Sequence, residues 1–554
     1  MESCAGLHPP DLLTFRRKFP LWPSKGRRAQ KQIPGDDMDT HDIYVISDLH
    51  IGGAREEGNS PSFQMCPPDS RRRLARFIHH VRQAVRPTGS TLELIVNGDL
   101  VDFLAEQPFA SFTTSPDAAV EKLRRIIKTA DEDAPEGEQV FPALRAFVTD
   151  GHRLTVLLGN HDLELSLAAV RHELLRQITG GRPAHVEFLF DGEACRRGSV
   201  LIEHGNRYDG WNAVAHGALR AFRARASRGE PVYAFPPPAG SRLVAEVMNP
   251  LKGLYRFIDL LKPENEAMIP ILCALHPSAI REIRRVFNAW RKRATLAPGA
   301  VPEEETYVAA SDSDFGPVPD ALSEIADRAT APRRRAIPPA TSDELAGDPV
   351  DERTMRRTEA VLAECEDMLE PVFARDGDVV PDEYSEVGDG ALAWLRSSWS
   401  LARMGRARDA ARYQHLRNAL VSHRRTIGTT FALDTEAPEY LDAARRMATG
   451  DCKFVIFGHT HLPKSIDLGD GRRYLNTGTW CPTIQLDERL YQAGPNDPEA
   501  VQGLGQFVED MGENRLGAWT SLRTIFAHIV VGAGGETTAE LCEFHDDGRV
   551  SACP

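Results

Sequence analysis

From Asp42 onward, short apolar runs alternate with longer segments whose apolar residues recur at helical spacing. The runs Ile43–Ser47, Leu92–Asn97, Leu154–Leu158, Val200–Glu203 and Phe454–Phe457 are short, rich in β-branched residues and bounded by Gly, Asp or Asn, which predicts buried strands. Between them, Arg71–Val85, Ala118–Ala130, Val140–Thr149 and Leu163–Thr179 carry the 3.6-residue period and predict helices. This alternation implies an α/β sheet with helices on its faces. Near the end, Arg523–Val531 and Thr538–Phe544 are split by Gly532–Gly535 and predict a hairpin.

After His204 the alternation lapses, and the strand pattern returns only at Lys453. Arg242–Leu261, Ile280–Trp290, Thr354–Phe373 and Ala391–Met404 are amphipathic at helical spacing. Ala297–Pro349 differs, with eight prolines, the run Glu303-Glu304-Glu305 and few bulky apolar residues, and predicts a linker or long loop. The expected organisation is an N-terminal extension (1–40), a first core part (41–205), a mainly helical insertion (206–450) carrying the linker near 297–349, and a second core part (451–554) with the hairpin.

A length of 554 residues exceeds one compact core and fits this division. Lysine and arginine number 66 against 80 acids, and the formal charge of −14 argues against bulk electrostatic wrapping of duplex nucleic acid. The nine cysteines contain no CxxC pair, so reduced thiols and a cytoplasmic address are expected. The basic clusters Arg16-Arg17-Lys18 and Arg27-Arg28 precede no apolar core of signal-peptide length. The best apolar stretch, Ala267–Leu275, contains Pro270 and spans only about half a bilayer, so no transmembrane segment is expected.

The chemistry gathers at strand ends. Each predicted core strand is followed by a polar cluster: Asp48-Leu49-His50, Gly98-Asp99-Leu100-Val101-Asp102, Gly159-Asn160-His161-Asp162, His204-Gly205, and Gly458-His459-Thr460-His461. The C-terminal ends of strands are where open α/β sheets place ligands. The mixed oxygen and nitrogen donors suit Mn, Fe or Zn better than a dedicated Mg or Ca cage. Residues i and i+2 of an extended segment point the same way, so Asp48 with His50, and His459 with His461, are expected to converge on one pocket.

This ordered set resembles the calcineurin-like metallophosphoesterases over about residues 42–205 and 451–480. The resemblance implies a four-layer α/β/β/α sandwich, here interrupted by the insertion, and a binuclear centre of two divalent transition-metal ions. In it Asp99 would bridge the metals, Asp48, His50 and His461 would complete one site, and Asn160, His204 and His459 the other. It further implies a nucleophilic hydroxide held between cations about 3.5–4 Å apart, with His161 as general acid for the leaving group. Asp102 would either orient His161 or cap the following turn. Phe103-Leu104 stand where the serine/threonine protein phosphatases carry Arg-Gly, and Asp162 stands for their Glu. His161 stands where the similar UDP-diacylglucosamine hydrolases carry Arg. The implied activity is therefore a phosphodiesterase or phosphomonoesterase, most plainly with Mn.

Two alternatives stand beside it: a nuclease using the same metals, and a non-catalytic scaffold binding partners through the insertion. The clusters Arg71-Arg72-Arg73, Arg284-Arg285, Arg291-Lys292-Arg293 and Arg333-Arg334-Arg335 lack interleaved aromatics, so nucleic acid is not favoured. Arg207 is a candidate phosphate contact, though surface pairing is the commoner role of such an arginine. Trp394 and Trp399 are expected in helix packing. Leaving the core after His204 and returning before His459, the insertion is expected either to wall the site or to face away from it.

Overall fold

The computed structural model describes residues 40–53, 63–84, 91–230, 232, 235–295, 352–373, 406–492, 494 and 497–553. The expected linker at 297–349, the Arg333–Arg335 cluster, the 391–404 helix with Trp394 and Trp399, and all but the last residue of the 1–40 extension lie outside the described residues.

The strands, in chain order, are β1 (His41–Ile46), β2 (Thr91–Asn97), β3 (Arg153–Leu157), β4 (Val186–Leu189), β5 (Cys195–Arg197), β6 (Val200–Ile202), β7 (Leu261–Lys262), β8 (Phe454–Phe457), β9 (Pro463–Gly469), β10 (Arg472–Thr477), β11 (Thr483–Gln485), β12 (Thr520–Ser521), β13 (Ile525–Val531), β14 (Thr537–Phe544) and β15 (Val550–Ala552). The fold is mixed α/β, and its core strands fall into two sheets. Among the described residues, a seven-stranded sheet runs β15-β14-β13-β1-β2-β3-β4 and a five-stranded sheet β5-β6-β8-β10-β9. Strands β1 to β4 pair in parallel, and β6 pairs in parallel with β8. The C-terminal hairpin joins the first sheet by pairing β13 antiparallel to β1.

Strand alternation sorts the side chains. Ile43 and Val45 of β1, with Ile95 and Leu157, share one apolar core with Val200, Ile202, Ile456 and Leu475 of the second sheet. Ile46, Leu94 and Val96 instead meet helices α1 (Pro68–Gln83), α2 (Pro116–Glu132), α3 (Val140–Thr149) and α4 (Ala168–Thr179). Val455, Phe457 and Tyr474 on the second sheet pack against Tyr440, Ala443 and Ala444 of the helix Pro438–Met447. At the edge of the paired sheets, Glu93 of β2 takes a two-pronged bond from Arg197 of β5 at 2.7 and 2.8 Å.

Two expected helices are broken. Leu163–Thr179 is a 3₁₀ turn (Leu163–Ser166), an extended Leu167 and then α4. Arg242–Leu261 divides into Ala239–Leu243, a π turn at Val244–Met248 and Asn249–Lys252, before the chain extends into β7. Pro250 has no N–H to offer the carbonyl four residues back, and the ladder slips, with Asn249 N–H bonding Val244 O. The same slip precedes Pro270, where Ile269 N–H bonds Glu264 O.

Much of the described part of residues 206–450 packs in an apolar cluster that includes Trp211, Phe287, Trp290, Cys481 and Ile484. Trp211 stacks on Trp290 at 4.5 Å, β7 pairs with β11, and Asn249 donates to the Leu104 carbonyl at 2.6 Å. The described basic residues are engaged: Arg71 with Asp133, Arg72 with Asp69, Arg73 with Asp546, Arg284 with Glu366, Arg285 with Glu282 and Glu246, and Arg291 with Glu359. Among the described residues no helix is long and apolar enough to cross a membrane.

Candidate metal centre

Because β1, β2 and β3 run parallel, their C-terminal loops lie at one edge, and backbone bonds knit them together. His50 N and Leu49 N both donate to Asp99 O at 2.9 Å, and Phe103 N donates to His161 O at 3.1 Å. The ends of β6 and β8 reach the same place through Gly458 N to His204 O, 3.0 Å.

The side chains converge. His50 Nε2 lies 3.0 Å from His461 Nε2, 3.9 Å from Asp48 Oδ1 and 3.8 Å from Asp99 Oδ2, while His461 Nε2 is 3.4 Å from Asp48. His204 Nε2 lies 3.2 Å from Asp99 Oδ2 and 3.3 Å from Asn160 Oδ1. Its other nitrogen donates to the Asn97 carbonyl at 2.8 Å. Asp48, His50 and His461 form one group of converging ligand atoms, and Asp48, Asp99 and His204 a second. A third joins His50, Asp99 and His161.

His459 stands slightly apart. Its ring is 5.4 Å from that of His204, and its Nε2 donates to Asp209 Oδ2 at 3.1 Å. The expectation that His459 and His461 share one extended segment is corrected: their φ values are 70° and 62°, and those of Asp48, His50 and Asp99 are 53°, 43° and 52°. Left-handed backbone at non-glycine residues costs roughly 1–3 kcal/mol each and concentrates where function demands it. The two histidines consequently serve different neighbours, Asp209 on one side and His50 with Asp48 on the other.

Residues 41–229 match the family model described as Calcineurin-like phosphoesterase. Over that stretch the chain carries a calcineurin-like phosphoesterase domain, which supports the metallophosphoesterase superfamily. No curated protein and no solved structure matches it. The metallophosphoesterase match spans Asp48 to His204 and ends before His459 and His461, whose association with the site comes from the geometry above.

Electrostatics follow from burying so many charges together. Burial pushes the Asp48 carboxyl up, but His461 and His204 outweigh it and bring it down to about 2. Asp99, equally buried, is held well below the carboxylate range by His204, His161 and His50. Burial alone would depress His161 and His204, yet Asp102 and Asp99 raise the first to about 9, and Asp99 with Asp48 the second to about 10. His461 goes the other way, to about 4, under burial and the nearby Lys262. Asp162 is pushed up to about 8 by burial and by Asp99.

Asp102 makes two contacts at once. Its Oδ1 accepts from Ala105 N at 3.0 Å, closing the turn, and from His161 Nδ1 at 3.1 Å. Its Oδ2 is 3.7 Å from His50 Nδ1. Arg207 is turned away to the Gly192 carbonyl, at 2.6 Å. Three residues carry contacts to which the sequence assigned no role. Asp162 ties two ligand loops together by accepting from Gly159 N at 2.7 Å and Leu100 N at 2.9 Å. Asp209 holds His459, and Asn212 Oδ1 accepts from Asn160 Nδ2 at 3.5 Å. The available signal was an Asp and an Asn in the polar turn directly after His204.

Proposed function

We propose that the chain is a binuclear metal-dependent phosphoester hydrolase, acting on phosphodiesters or phosphomonoesters, with His161 as general acid. The observation that carries this is the convergence of ligand atoms. With Nδ1 donating to Asn97 O, His204 points Nε2 at carboxylate and carboxamide oxygens at 3.2 and 3.3 Å. His50 and His461 oppose ring nitrogens at 3.0 Å beside two buried carboxylates. Such a set is stable only around positive charge, and its mixed oxygen and nitrogen donors fit divalent transition metals, with Mn foremost and Fe or Zn also suited.

Asp48, His50 and His461 would hold one ion, Asn160, His204 and His459 the other, and Asp99 would join them. When bound, such ions supply Lewis acidity toward the phosphoryl oxygens and an acidified water as nucleophile. The protein's own part is orientation and proton supply. Asp102 fixes His161 through Nδ1, which leaves Nε2 as the atom that delivers a proton to the leaving oxygen. His161 is 13% exposed in its side chain, enough to meet a substrate at the rim of the buried cluster.

The same reading takes the helices α1–α4, the two sheets and the 438–447 helix as the layers of an α/β/β/α sandwich, and the described insertion as a wall of the site. Asn249 on the Leu104 carbonyl and β7 on β11 support the latter. The test is Mn-reconstituted hydrolysis of a chromogenic phosphodiester beside the matching monoester, with His161→Ala alongside. Metal-dependent turnover that collapses in the variant is expected. Two bound metals with no turnover on any phosphoester would instead favour a scaffold.

A further inference from the structure

We propose that Asp209 and Asn212, on the turn following His204, are positioning residues that aim His459 and Asn160 at one of the two cation positions and leave the other untouched. The inference rests on the metallophosphoesterase reading above and extends it to side chains outside the ligand set.

The turn is built as a clamp. Asp209 Oδ2 accepts from His459 Nε2 at 3.1 Å and from Asn212 Nδ2 at 2.7 Å, while its Oδ1 accepts from Trp211 N at 2.8 Å. Asn212 in turn accepts from Asn160 Nδ2 at 3.5 Å, and Asn206 Nδ2 holds the Asn212 carbonyl at 2.9 Å. One carboxylate thus reaches His459, 250 positions away in the chain, directly and Asn160 through one amide.

Each bond fixes a ligand in its useful state. A histidine that donates Nε2–H to a carboxylate keeps its Nδ1 lone pair for a cation. An asparagine whose amide N–H is engaged must present its oxygen on the other side, and Asn160 Oδ1 does face His204 Nε2, at 3.3 Å. His50 instead faces Asp102, Nδ1 to Oδ2 at 3.7 Å, and neither Asp209 nor Asn212 bonds it.

A second observation is independent of the hydrogen bonds. A Cβ at Gly240 would lie 2.1 Å from Asn212 Oδ1. Gly240 is in the short helix Ala239–Leu243 and donates its N–H to Trp211 O at 2.7 Å. Alanine favours a helix over glycine, so the missing side chain serves the close approach to Asn212.

The experiment is titration of the metal-free full-length chain with Mn by calorimetry, with electron paramagnetic resonance on the same samples and circular dichroism to check folding. The wild type should bind two Mn per chain and give the signal of a coupled pair. Asp209→Ala should weaken one site alone by about 10–100-fold, leaving a six-line mononuclear signal at the same Mn ratio. Asp209→Asn, whose amide oxygen can still accept from His459 but whose NH2 then faces the Trp211 N–H, should recover part of the second site's loading. Gly240→Ala, which touches no ligand, should repeat the one-site loss despite its better helix former. Unchanged two-site loading in Asp209→Ala, equal weakening of both sites, or no rescue by asparagine would overturn the inference. A wild type that binds no Mn, Zn or Fe would overturn the metal reading itself.

Discussion

Gly159 offers the sharpest test of how the centre is packed. It lies between β3 and Asn160 with Asp99 pressed against it: a Cβ would stand 2.0 Å from Asp99 Oδ1 and 2.5 Å from Asp99 N. No left-handed φ is needed there, so Gly159→Ala acts through space alone. Ordinary carbon–oxygen contact demands that Asp99 retreat by about 1–1.5 Å, judged against normal van der Waals separations. That movement breaks the 2.7 Å bond from His161 N to Asp99 Oδ1 and the 3.2 Å approach of His204 Nε2. Overpacking a rigid site costs about 1–3 kcal/mol, and losing a charge-assisted hydrogen bond about 1.5–3 kcal/mol more. Expected are a drop of several degrees in Tm and loss of metal affinity at both positions, since Asp99 faces both groups. Gly151→Ala serves as the comparison. Gly151 has φ +88° with open space around it, so its alanine variant should lose about 1 kcal/mol of stability with metal affinity intact. Calorimetric Mn titration and thermal melts of both variants decide the matter. Wild-type metal affinity in Gly159→Ala would refute the reasoning.

Three further outcomes are expected. His161→Ala should lower kcat by about 10²–10⁴ for an alkyl phosphoester and far less for a nitrophenyl one, which needs no proton on departure; equal losses on both substrates would remove His161 as the acid. Adding Mn to the metal-free protein at about 100 times its Kd should stabilise it by about 2.7 kcal/mol, read as a rise in urea midpoint that Asp99→Asn abolishes. Glu93 supplies a pH test away from the centre: burial pushes its carboxyl up, but Arg197, His41 and Thr155 outweigh that and bring it from 4.5 down to about 2. Since the folded value is the lower one, this contribution is present in full above pH 4.5 and fades as pH falls toward about 2. It amounts to about 3 kcal/mol at most, and urea midpoints of wild type and Glu93→Gln should converge in acid; a constant gap from pH 7 to pH 3 would contradict it.

The residues that converge at the centre were legible because each sits within a few positions of a strand end, and strand ends are marked locally by apolar runs that stop at Gly, Asp or His. The hairpin after Arg523 was legible for the same reason, through Gly532–Gly535. What failed was whatever depends on distant partners. Val200–Ile202 and Phe454–Phe457 read like β1 and β2 because a buried strand has the same apolar pattern in either sheet, so the pattern alone could not divide the strands between the two sheets. The expected helix over Arg242–Leu261 failed because periodicity outlasts a proline that the hydrogen-bond ladder does not, at Pro250.

His459 carries the same lesson into the site. An i, i+2 rule placed it with His461, but the rule assumes extended backbone, and both residues are left-handed. Their divergence lets one four-residue cluster address both sides of the centre: His461 turns to His50 of the first sheet's loops, and His459 to the turn after His204 of the second. The strain at these residues is therefore tied to the two-sheet architecture. With Asp99 from β2 lying between His50 and His204, the centre spans the seam where the two sheets' strand ends meet. Its ligand geometry depends on how the sheets pack, so shifting Ile43, Val45 or Ile456 in their shared core would move ligands that none of them touches.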